Sequence, residues 1–236
     1  MKIGLFADPH YCNKEYISNR RPTLSYNKIK EAMEYFKAQN VDLAICLGDL
    51  VDDCGSDEEN IKAIKHLCEM IYSYGIPFYS LMGNHDCENF TSAEFDAYSS
   101  GACPPFTFET EKSILIFLDC NYKDDESKYV PHNVDWTNTF LPQNQLDKLN
   151  RALDNNPNKK AYIFSHQSID PEVDKNHIVR NSQKIRQILE AHSNVQMVVQ
   201  GHYHWGHETV INNIVYKTVA AMCEGENNVF EIIEID

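Results

Sequence analysis

The sequence has no excess of positive charge. Its 236 residues include 21 Lys and Arg against 35 Asp and Glu, which gives a formal net charge of −14 at pH 7. Surfaces that bind DNA or RNA neutralise phosphates with clustered Lys and Arg. The composition therefore argues against a nucleic-acid polymer as partner and is compatible with a small anionic substrate.

The sequence also lacks a long apolar run. No segment approaches the roughly 20 apolar residues that a membrane-spanning helix requires. The opening stretch, MKIGLFADPH, has a single lysine and reaches an aspartate at position 8, so its apolar run is too short for the core of a signal peptide. We therefore expect a cytoplasmic protein with no membrane partner.

Paired cysteine motifs are absent as well. The chain has eight cysteines but no C-x-x-C pair, and Cys46 and Cys120 lie within apolar runs. This distribution favours reduced, structural thiols over a disulfide framework or a thiolate metal site.

Finally, the chain contains no internal repeat, low-complexity tract or linker. A chain of this length can bury roughly 70 % of the surface that its unfolded form exposes, and so needs no disulfide or structural metal to fold. We predict one domain that spans residues 1–236.

What the sequence does contain is a regular alternation of strands and helices. Apolar strands are predicted at residues 2–8, 42–47 and 78–82, and amphipathic helices at 23–39 and 57–74. Alternation of this kind implies right-handed crossovers and a mainly parallel sheet.

The second half of the chain is less regular. Residues 106–109 and 113–119 are predicted to form a hairpin, and three β-rich segments after residue 207 are expected to finish a second sheet as antiparallel strands. Between them, a helix at 143–155, a strand at 160–165, a helix ending near 192 and a strand at 195–200 are predicted.

Two long irregular segments, 121–141 and 167–181, are typical of lids or binding loops. The aromatic residues of the first segment, Tyr129, Trp136 and Phe140, either stack a nucleobase or hold the loop against the body of the protein.

Five predicted strands end in side chains that can bind metal ions. A single His or Asp after a strand is most often a turn or surface residue, but here all five clusters fall at the carboxyl ends of strands, where the loops of a sheet converge. These residues are Asp8, His10, Asp49, Asn84, His166, His202 and His204.

This set of side chains is sufficient for two ions that share one carboxylate. Carboxylate, amide and imidazole ligands without thiolate suit Mn, Fe, Co or Zn ions better than Ca²⁺. Two such ions about 3.5–4 Å apart can clamp the attacking and leaving oxygens of a displacement at phosphorus. The predicted ligands are Asp8, His10, Asp49 and His204 for one ion, and Asp49, Asn84, His166 and His202 for the other.

Taken together, the motifs resemble the five blocks of the calcineurin-like metallophosphoesterases, in the same order. They are D-x-H at 8–10, G-D-x-x-D at 48–52, G-N-H-D at 83–86, His166 and G-H-x-H at 201–204. The resemblance implies a four-layer α/β/β/α sandwich of two mixed sheets flanked by helices, with a dinuclear metal site at the strand ends. It also implies that a hydroxide bridging the metals attacks phosphorus.

The resemblance assigns roles to three further residues. His85 would protonate the leaving oxygen, Asp86 would orient His85, and Asp52 would fix a ligand histidine. The expected activity is hydrolysis of a small phosphodiester or a nucleotide-linked diphosphate.

Several shorter stretches resemble the manganese-dependent ADP-ribose and CDP-alcohol diphosphatases, which neighbour the class III cyclic-nucleotide phosphodiesterases. These stretches are R-R-P at 20–22, N-H-D-C-E-N-F at 84–90, C-P-P-F at 103–106, and the C-terminal half with Glu224 and Phe230. The chain differs from that branch at His10, where the branch commonly has glutamine.

Five residues are predicted to contact the substrate. Arg20 and Arg21 follow the first strand, and an arginine fork suits a second phosphate; exposed loop arginines are nevertheless common. Asn84, Tyr11 and His207 complete the set.

Two alternatives remain open from the sequence. One is a phosphomonoesterase or protein phosphatase, and the other is a non-catalytic scaffold of the same fold. A scaffold would be expected to lack His85 or several ligands, whereas every block is present here.

Overall fold

The computed structural model describes residues 1–236, and their helices and strands form four layers. The strands are β1 (Lys2–Phe6), β2 (Leu43–Cys46), β3 (Phe78–Ser80), β4 (Thr107–Glu109), β5 (Ser113–Leu118), β6 (Lys160–Ser165), β7 (Val195–Gln200), β8 (His207–Ile211), β9 (Ile214–Thr218) and β10 (Glu231–Glu234). The α-helices are α1 (Pro22–Ala38), α2 (Asp57–Tyr72), α3 (Asn84–Asn89), α4 (Ser92–Tyr98), α5 (Gln143–Asp154) and α6 (Ser182–Glu190).

The first sheet has four strands in the order β10-β1-β2-β3. β1, β2 and β3 run parallel, as the alternation of strands and helices predicts, and β10 pairs antiparallel with β1. The side chains of β2 are all buried, which explains why this strand reads as a continuous apolar run.

The second sheet has six strands in the order β4-β5-β6-β7-β9-β8. β5, β6, β7 and β9 are parallel to one another. The predicted hairpin forms antiparallel β4 and β5, and β8 pairs antiparallel with β9 at the opposite edge. Both sheets are therefore mixed.

Three apolar clusters separate the four layers. Side chains such as Leu5, Ile45 and Phe164 fill the space between the two sheets. α1 and α2 pack on the outer face of the first sheet through residues that include Phe36, and α5 and α6 cover the second sheet through residues that include Leu149. This arrangement confirms the predicted α/β/β/α sandwich.

The prediction for the last strands is partly wrong. All three were expected to be antiparallel strands of the second sheet, but β9 runs parallel to β7 and β10 joins the first sheet. Along β10, Ile232 packs toward α1 while Ile233 packs between the sheets. A strand with apolar residues on both faces suits either sheet, so its pattern does not identify the partner.

Helix α3 was not predicted. Its six residues, NHDCEN, are too few and too polar to show helical periodicity. The helix begins directly after Gly83, whose backbone N–H donates to the Asp86 carboxylate at 2.9 Å. The motif residues Asn84, His85 and Asp86 therefore occupy the first turn of a helix and not an extended loop.

Two broader expectations concern cysteines and the membrane. All eight cysteines are free, and all but Cys103 are buried. None of the helices combines the length and the apolar character that crossing a lipid bilayer would take.

Candidate metal centre

The predicted ligands lie in the loops that follow β1, β2, β6 and β7 and at the start of α3. Four of them have the left-handed backbone conformation that residues other than glycine rarely adopt: Asp8, His10, Asp49 and His202, with φ between 47° and 66°. Such conformations concentrate at functional sites, where the surrounding structure compensates for their cost.

Three motif glycines allow the loops to approach closely. A Cβ at Gly83 would lie 2.1 Å from Oδ1 of Asp49, and one at Gly48 would lie 2.4 Å from Nδ1 of His166. A Cβ at Gly201 would lie 2.8 Å from Oδ2 of Asp8. Any larger residue at these positions would displace a predicted ligand, so the glycines are part of the site.

One group of ligands forms around β1. Donor atoms of Asp8, His10 and Asp49 lie within 4.8 Å of one another, and all three residues are buried. Nε2 of His204 lies 3.3 Å from Nε2 of His10 and 3.8 Å from Oδ1 of Asp8. The structure thus brings together the four residues predicted for one ion.

A second group lies beside the first. Donor atoms of Asp49, His166 and His202 also lie within 4.8 Å of one another, and Oδ1 of Asn84 is 3.2 Å from Nε2 of His166. Oδ2 of Asp49 is 3.5 Å from Nε2 of both His10 and His166. Asp49 is therefore common to both groups, the position expected of a bridging ligand.

The residues present fit two divalent cations. Nε2 of His202 is buried and has no hydrogen-bond partner, although it faces Asp49 and His166. Burial lowers the pKa of His10 to about 3 and holds the pKa of His202 well below its usual range. Both shifts favour the neutral imidazole, which has a lone pair available for a metal ion.

The electrostatics of Asp49 are dominated by its neighbours. Burial raises the pKa of its carboxyl, but nearby imidazoles, foremost that of His166, outweigh burial and hold the pKa well below its usual range. For His166, burial lowers the pKa, and the Asp49 carboxylate more than compensates, so that the pKa rises to about 9. The two shifts have the same origin, namely the attraction between the buried Asp49 carboxylate and the neighbouring His166 ring.

Hydrogen bonds from outside the two groups orient the imidazoles. Nδ1 of His166 donates to the carbonyl of Leu47 at 2.8 Å, and Nδ1 of His204 lies 2.8 Å from Oε1 of Glu224. Such contacts hold the opposite ring nitrogen toward a metal. This contact of Glu224 could not be predicted, since Glu224 lies in an irregular segment 20 residues after His204.

The structure assigns the contact that orients His85 to Asp52 and not to Asp86. Nδ1 of His85 is 3.2 Å from Oδ1 of Asp52, whose Oδ2 is 3.3 Å from Nδ1 of His10. The Asp86 carboxylate instead accepts hydrogen bonds from the backbone N–H groups of Gly83, Leu50 and Val51. The predicted orienting role of Asp86 is wrong, and this residue holds two ligand loops together.

Of the residues predicted to contact substrate, Arg20 and Asn84 line the cavity above the metal centre. Nη1 of Arg20 donates to Oδ2 of Asp52 at 2.7 Å. The others lie elsewhere. The Arg21 guanidinium packs over the Tyr16 ring, Tyr11 faces a separate cavity beside His66, and His207 lies 3.7 Å from Asp170 and Glu172.

The cavity above the metal centre has a volume of about 190 Å³. Predicted ligands form one side of it, and His85, Trp136, His177 and Trp205 form the rest together with Arg20. The sequence analysis did not single out Trp205, although it directly follows the ligand His204. It also missed Cys223, whose sulfur lies within 4.8 Å of donor atoms of His10 and His204.

Known proteins resemble this chain in sequence. Residues 1–206 match a family model described as calcineurin-like phosphoesterase. Over 210 residues the chain is 26% identical to a Haemophilus influenzae protein named 3',5'-cyclic adenosine monophosphate phosphodiesterase CpdA. That match covers 86% of this chain and 70% of the relative.

Solved structures share the fold. A dimetal phosphatase from Danio rerio superposes with a TM-score of 0.84 at 18% identity, and the match covers 98% of this chain and 91% of that one. GAP50, described as the anchor in the inner membrane complex of Plasmodium, superposes with a TM-score of 0.63 at 14% identity, covering 98% and 80%. At these identities the likeness establishes the architecture.

Proposed function

The chain belongs to the calcineurin-like phosphoesterase family, and we propose on this basis that it hydrolyses a small phosphodiester or a nucleotide-linked diphosphate. The family is dinuclear and metal-dependent, so the chain is a metallophosphoesterase. The observation that carries the proposal is the position of Asp49, which belongs to both ligand groups at the base of one cavity.

In this proposal the two ions are Mn, Fe, Zn or Co, and each is held by the four residues named above for it. When bound, the ions supply positive charge to the phosphoryl oxygens and acidify water for attack at phosphorus. Asp49, whose carboxylate belongs to both ligand groups, would bind both ions. His204 is kept in position by Glu224, and His166 by the carbonyl of Leu47.

His85 supplies the proton for the leaving oxygen. Its side chain is 34% exposed and lines the cavity, whereas the ligand histidines His10 and His166 are almost fully buried. Nδ1 of His85 donates to the Asp52 carboxylate. Burial lowers the pKa of His85, but the carboxylates of Asp49 and Asp52 outweigh burial and raise it, which favours the doubly protonated ring whose Nε2–H can be given to the leaving oxygen.

A diester or diphosphate is favoured over a monoester by two observations. The curated relative from H. influenzae is named for a cyclic phosphodiester substrate. In addition, Arg20 lines the cavity on the side of His85, where its guanidinium can contact a second phosphate or the far side of a diester.

The test is a hydrolysis panel with the purified protein loaded with Mn²⁺. The panel contains bis-p-nitrophenyl phosphate, p-nitrophenyl phosphate, cyclic AMP, ADP-ribose and CDP-choline, each with and without chelator. We expect turnover that chelator abolishes, with the diesters and diphosphates hydrolysed faster than p-nitrophenyl phosphate. Preference for p-nitrophenyl phosphate would instead favour a phosphomonoesterase or protein phosphatase.

A non-catalytic scaffold is the alternative from another class of function. The fold is shared with GAP50, which is described as an anchor. Silence across the whole panel, with two metals per chain verified by elemental analysis, would support the scaffold and contradict the proposed hydrolysis.

A further inference from the structure

The chain has two tryptophans, and both line the cavity above the metal centre. Trp136 comes from the long loop that follows β5, and Trp205 comes from the turn between β7 and β8. The two tryptophans, which are far apart in the sequence, therefore lie on one small cavity.

A connected cluster of rings joins the two tryptophans to the metal ligands. The ring of His177 lies 5.4 Å from that of Trp136 and 6.3 Å from that of Trp205, measured between centroids. Trp136 is also 5.8 Å from the ligand His202, and Tyr203 is 5.2 Å from Trp205. The aromatic surface thus begins at the metal centre and extends outward.

The indoles are unusually open for such large apolar groups. Trp205 is 75% exposed and Trp136 is 42% exposed. By contrast Tyr129, in the same loop as Trp136, is buried and donates its hydroxyl to the carbonyls of Asp135 and Asn138. Tyr129 therefore holds the loop, which leaves the Trp136 ring free for another role.

We propose that Trp136 and Trp205 form a binding subsite for a planar ring of the substrate. The ligand class is a nucleoside joined to the phosphoryl group that lies over the metal centre. This inference rests on the proposed function and narrows its phosphodiester substrates to those that carry a nucleobase, as the nucleotide-linked diphosphates already do.

Stacking explains the arrangement better than general apolar contact. Every nucleobase has a flat face that packs on tryptophan, and the polar edge of the base stays in water at an open cavity. The short distance between Trp136 and His202 also suits a nucleoside, since only a ribose separates its base from its phosphate. A sugar phosphate or phosphoserine has no flat ring to offer this surface.

The tryptophans themselves provide a readout that does not depend on turnover. We would titrate the metal-loaded full chain with AMP and with ribose 5-phosphate, which have the same phosphate and differ in the base, and follow tryptophan fluorescence and heat of binding. AMP is expected to change the fluorescence and to bind about 5- to 100-fold more tightly, the range expected for stacking of one base.

Substitution of each tryptophan tests whether the indole rings cause the preference for AMP over ribose 5-phosphate. Trp205→Ala is expected to weaken AMP binding by about 5- to 100-fold and to leave ribose 5-phosphate binding unchanged, whereas Trp205→Phe restores most of the AMP affinity. The matched control is Tyr35→Ala, which removes an aromatic ring that is 48% exposed on α1 and should change neither affinity. Trp136→Ala should act like Trp205→Ala.

Two results would overturn the subsite. One is equal affinity for AMP and ribose 5-phosphate, and the other is an equal loss of both affinities in the Trp205→Ala and Trp136→Ala variants. These results are distinct from failure of the proposed function. If no substrate of the panel is hydrolysed but AMP binds more tightly than ribose 5-phosphate, the proposed activity is contradicted and the subsite is supported. If the panel is hydrolysed but the two ligands bind equally, the activity is supported and the subsite is contradicted.

Discussion

At the scale of single residues, two carboxylates beside the predicted ligands have different kinds of partner. Asp52 and Asp86 both flank the ligand motifs, yet Asp52 contacts His85 and His10 while Asp86 holds backbone N–H groups. The distinction has consequences for mutation, because Asp52 acts on imidazoles at the cavity and Asp86 acts on the shape of two loops.

Replacing His85 should separate catalysis from metal binding. We expect His85→Asn to keep two metals per chain and to lower turnover by about 10²- to 10⁴-fold, since it removes a positioned acid. Its backbone N–H, which donates to Oδ1 of Asp49 at 2.8 Å, is retained in the variant. Kinetics and elemental analysis on the same sample check this. Loss of metal, or unchanged turnover, would remove His85 from its assigned role.

Replacing Glu224 should weaken metal binding without unfolding the protein. Glu224→Gln removes the charge of the group that faces Nδ1 of His204, and we expect the metal affinity to fall by about 10- to 100-fold. Competition against a chelator measures the affinity. Glu226→Gln is the matched control, because Glu226 is exposed on the same segment, and it should behave like the wild type. Equal affinities in both variants would show that the contact is unimportant.

The residues that could be predicted from the sequence are those whose chemistry is local. The seven residues were predicted as ligands because each comes shortly after a strand, and the structure brings their side chains together in two groups. Arg21 and Tyr11 could not be distinguished from Arg20, because the direction of a side chain in an irregular loop depends on packing. Glu224 carries part of the family resemblance, but its contact with His204 was not predicted for the same reason.

At the scale of elements, the turn between β3 and α3 sets the geometry of the site. Gly83 lies between β3 and α3 and places the first turn of α3 against Asp49. At Gly83 itself there is no room for a side chain. The sequence predicted a glycine turn at this point but not the helix after it. A helix as short as α3 is stable only through tertiary contacts, here the hydrogen bonds that the Asp86 carboxylate accepts from backbone N–H groups. Such contacts leave no periodic pattern in the sequence from which the helix could be predicted.

Gly83→Ala should therefore disrupt the metal centre. The added methyl would lie 2.1 Å from Oδ1 of Asp49 and 2.5 Å from its backbone nitrogen, so the loops must move apart. We expect loss of at least one metal per chain and a loss of turnover of at least 10²-fold. Metal stoichiometry measured at micromolar protein checks the loss of metal, and the hydrolysis assay checks the loss of turnover.

The control for this variant is Gly75→Ala. Gly75 has a positive φ of 73° after α2, but nothing lies within 4 Å of its added Cβ. We expect it to cost about 1–2 kcal/mol of stability through backbone strain and to leave metal content unchanged. Full metal occupancy in Gly83→Ala would show that the loops tolerate a methyl group there.

The assignment of strands to sheets shows the limit of reading elements from the sequence. Strands β1 to β3 follow from the alternation with helices, since right-handed crossovers leave few other arrangements. β10 has no such neighbour, and both of its faces carry apolar side chains. β10 pairs where β1 has a free edge, and that edge exists only once the sheet has formed, so the sequence of β10 does not show it.

At the scale of the whole molecule, the metal centre connects the two sheets. Asp8 and Asp49 follow strands of the first sheet, whereas His166 and His202 follow strands of the second. Bound ions are therefore expected to stabilise the packing of one sheet on the other as well as the loops themselves.

Metal removal should lower the stability of the entire fold. At a free metal concentration of 100 times Kd, each bound ion stabilises the native state by about 2.7 kcal/mol, so for a chain of this size the loss of each ion on chelation lowers the Tm by roughly 5–11 °C. Differential scanning calorimetry with and without chelator measures the change. Asp49→Asn, which removes the shared ligand, should show no such difference. A chelator effect of equal size in that variant would contradict the bridging position of Asp49.

The pairing of β1 with β10 also constrains how the protein is made. Lys2 pairs with Glu234, so β1 is joined on one side by a strand that is synthesised long after it. At about 5–20 residues per second, the edge of β1 waits roughly 10 to 45 s for its partner. During that time an apolar strand presents open backbone groups to other nascent chains. The same long-range pairing makes refolding slow, and the folding yield will depend on whatever shields β1 until β10 has been synthesised.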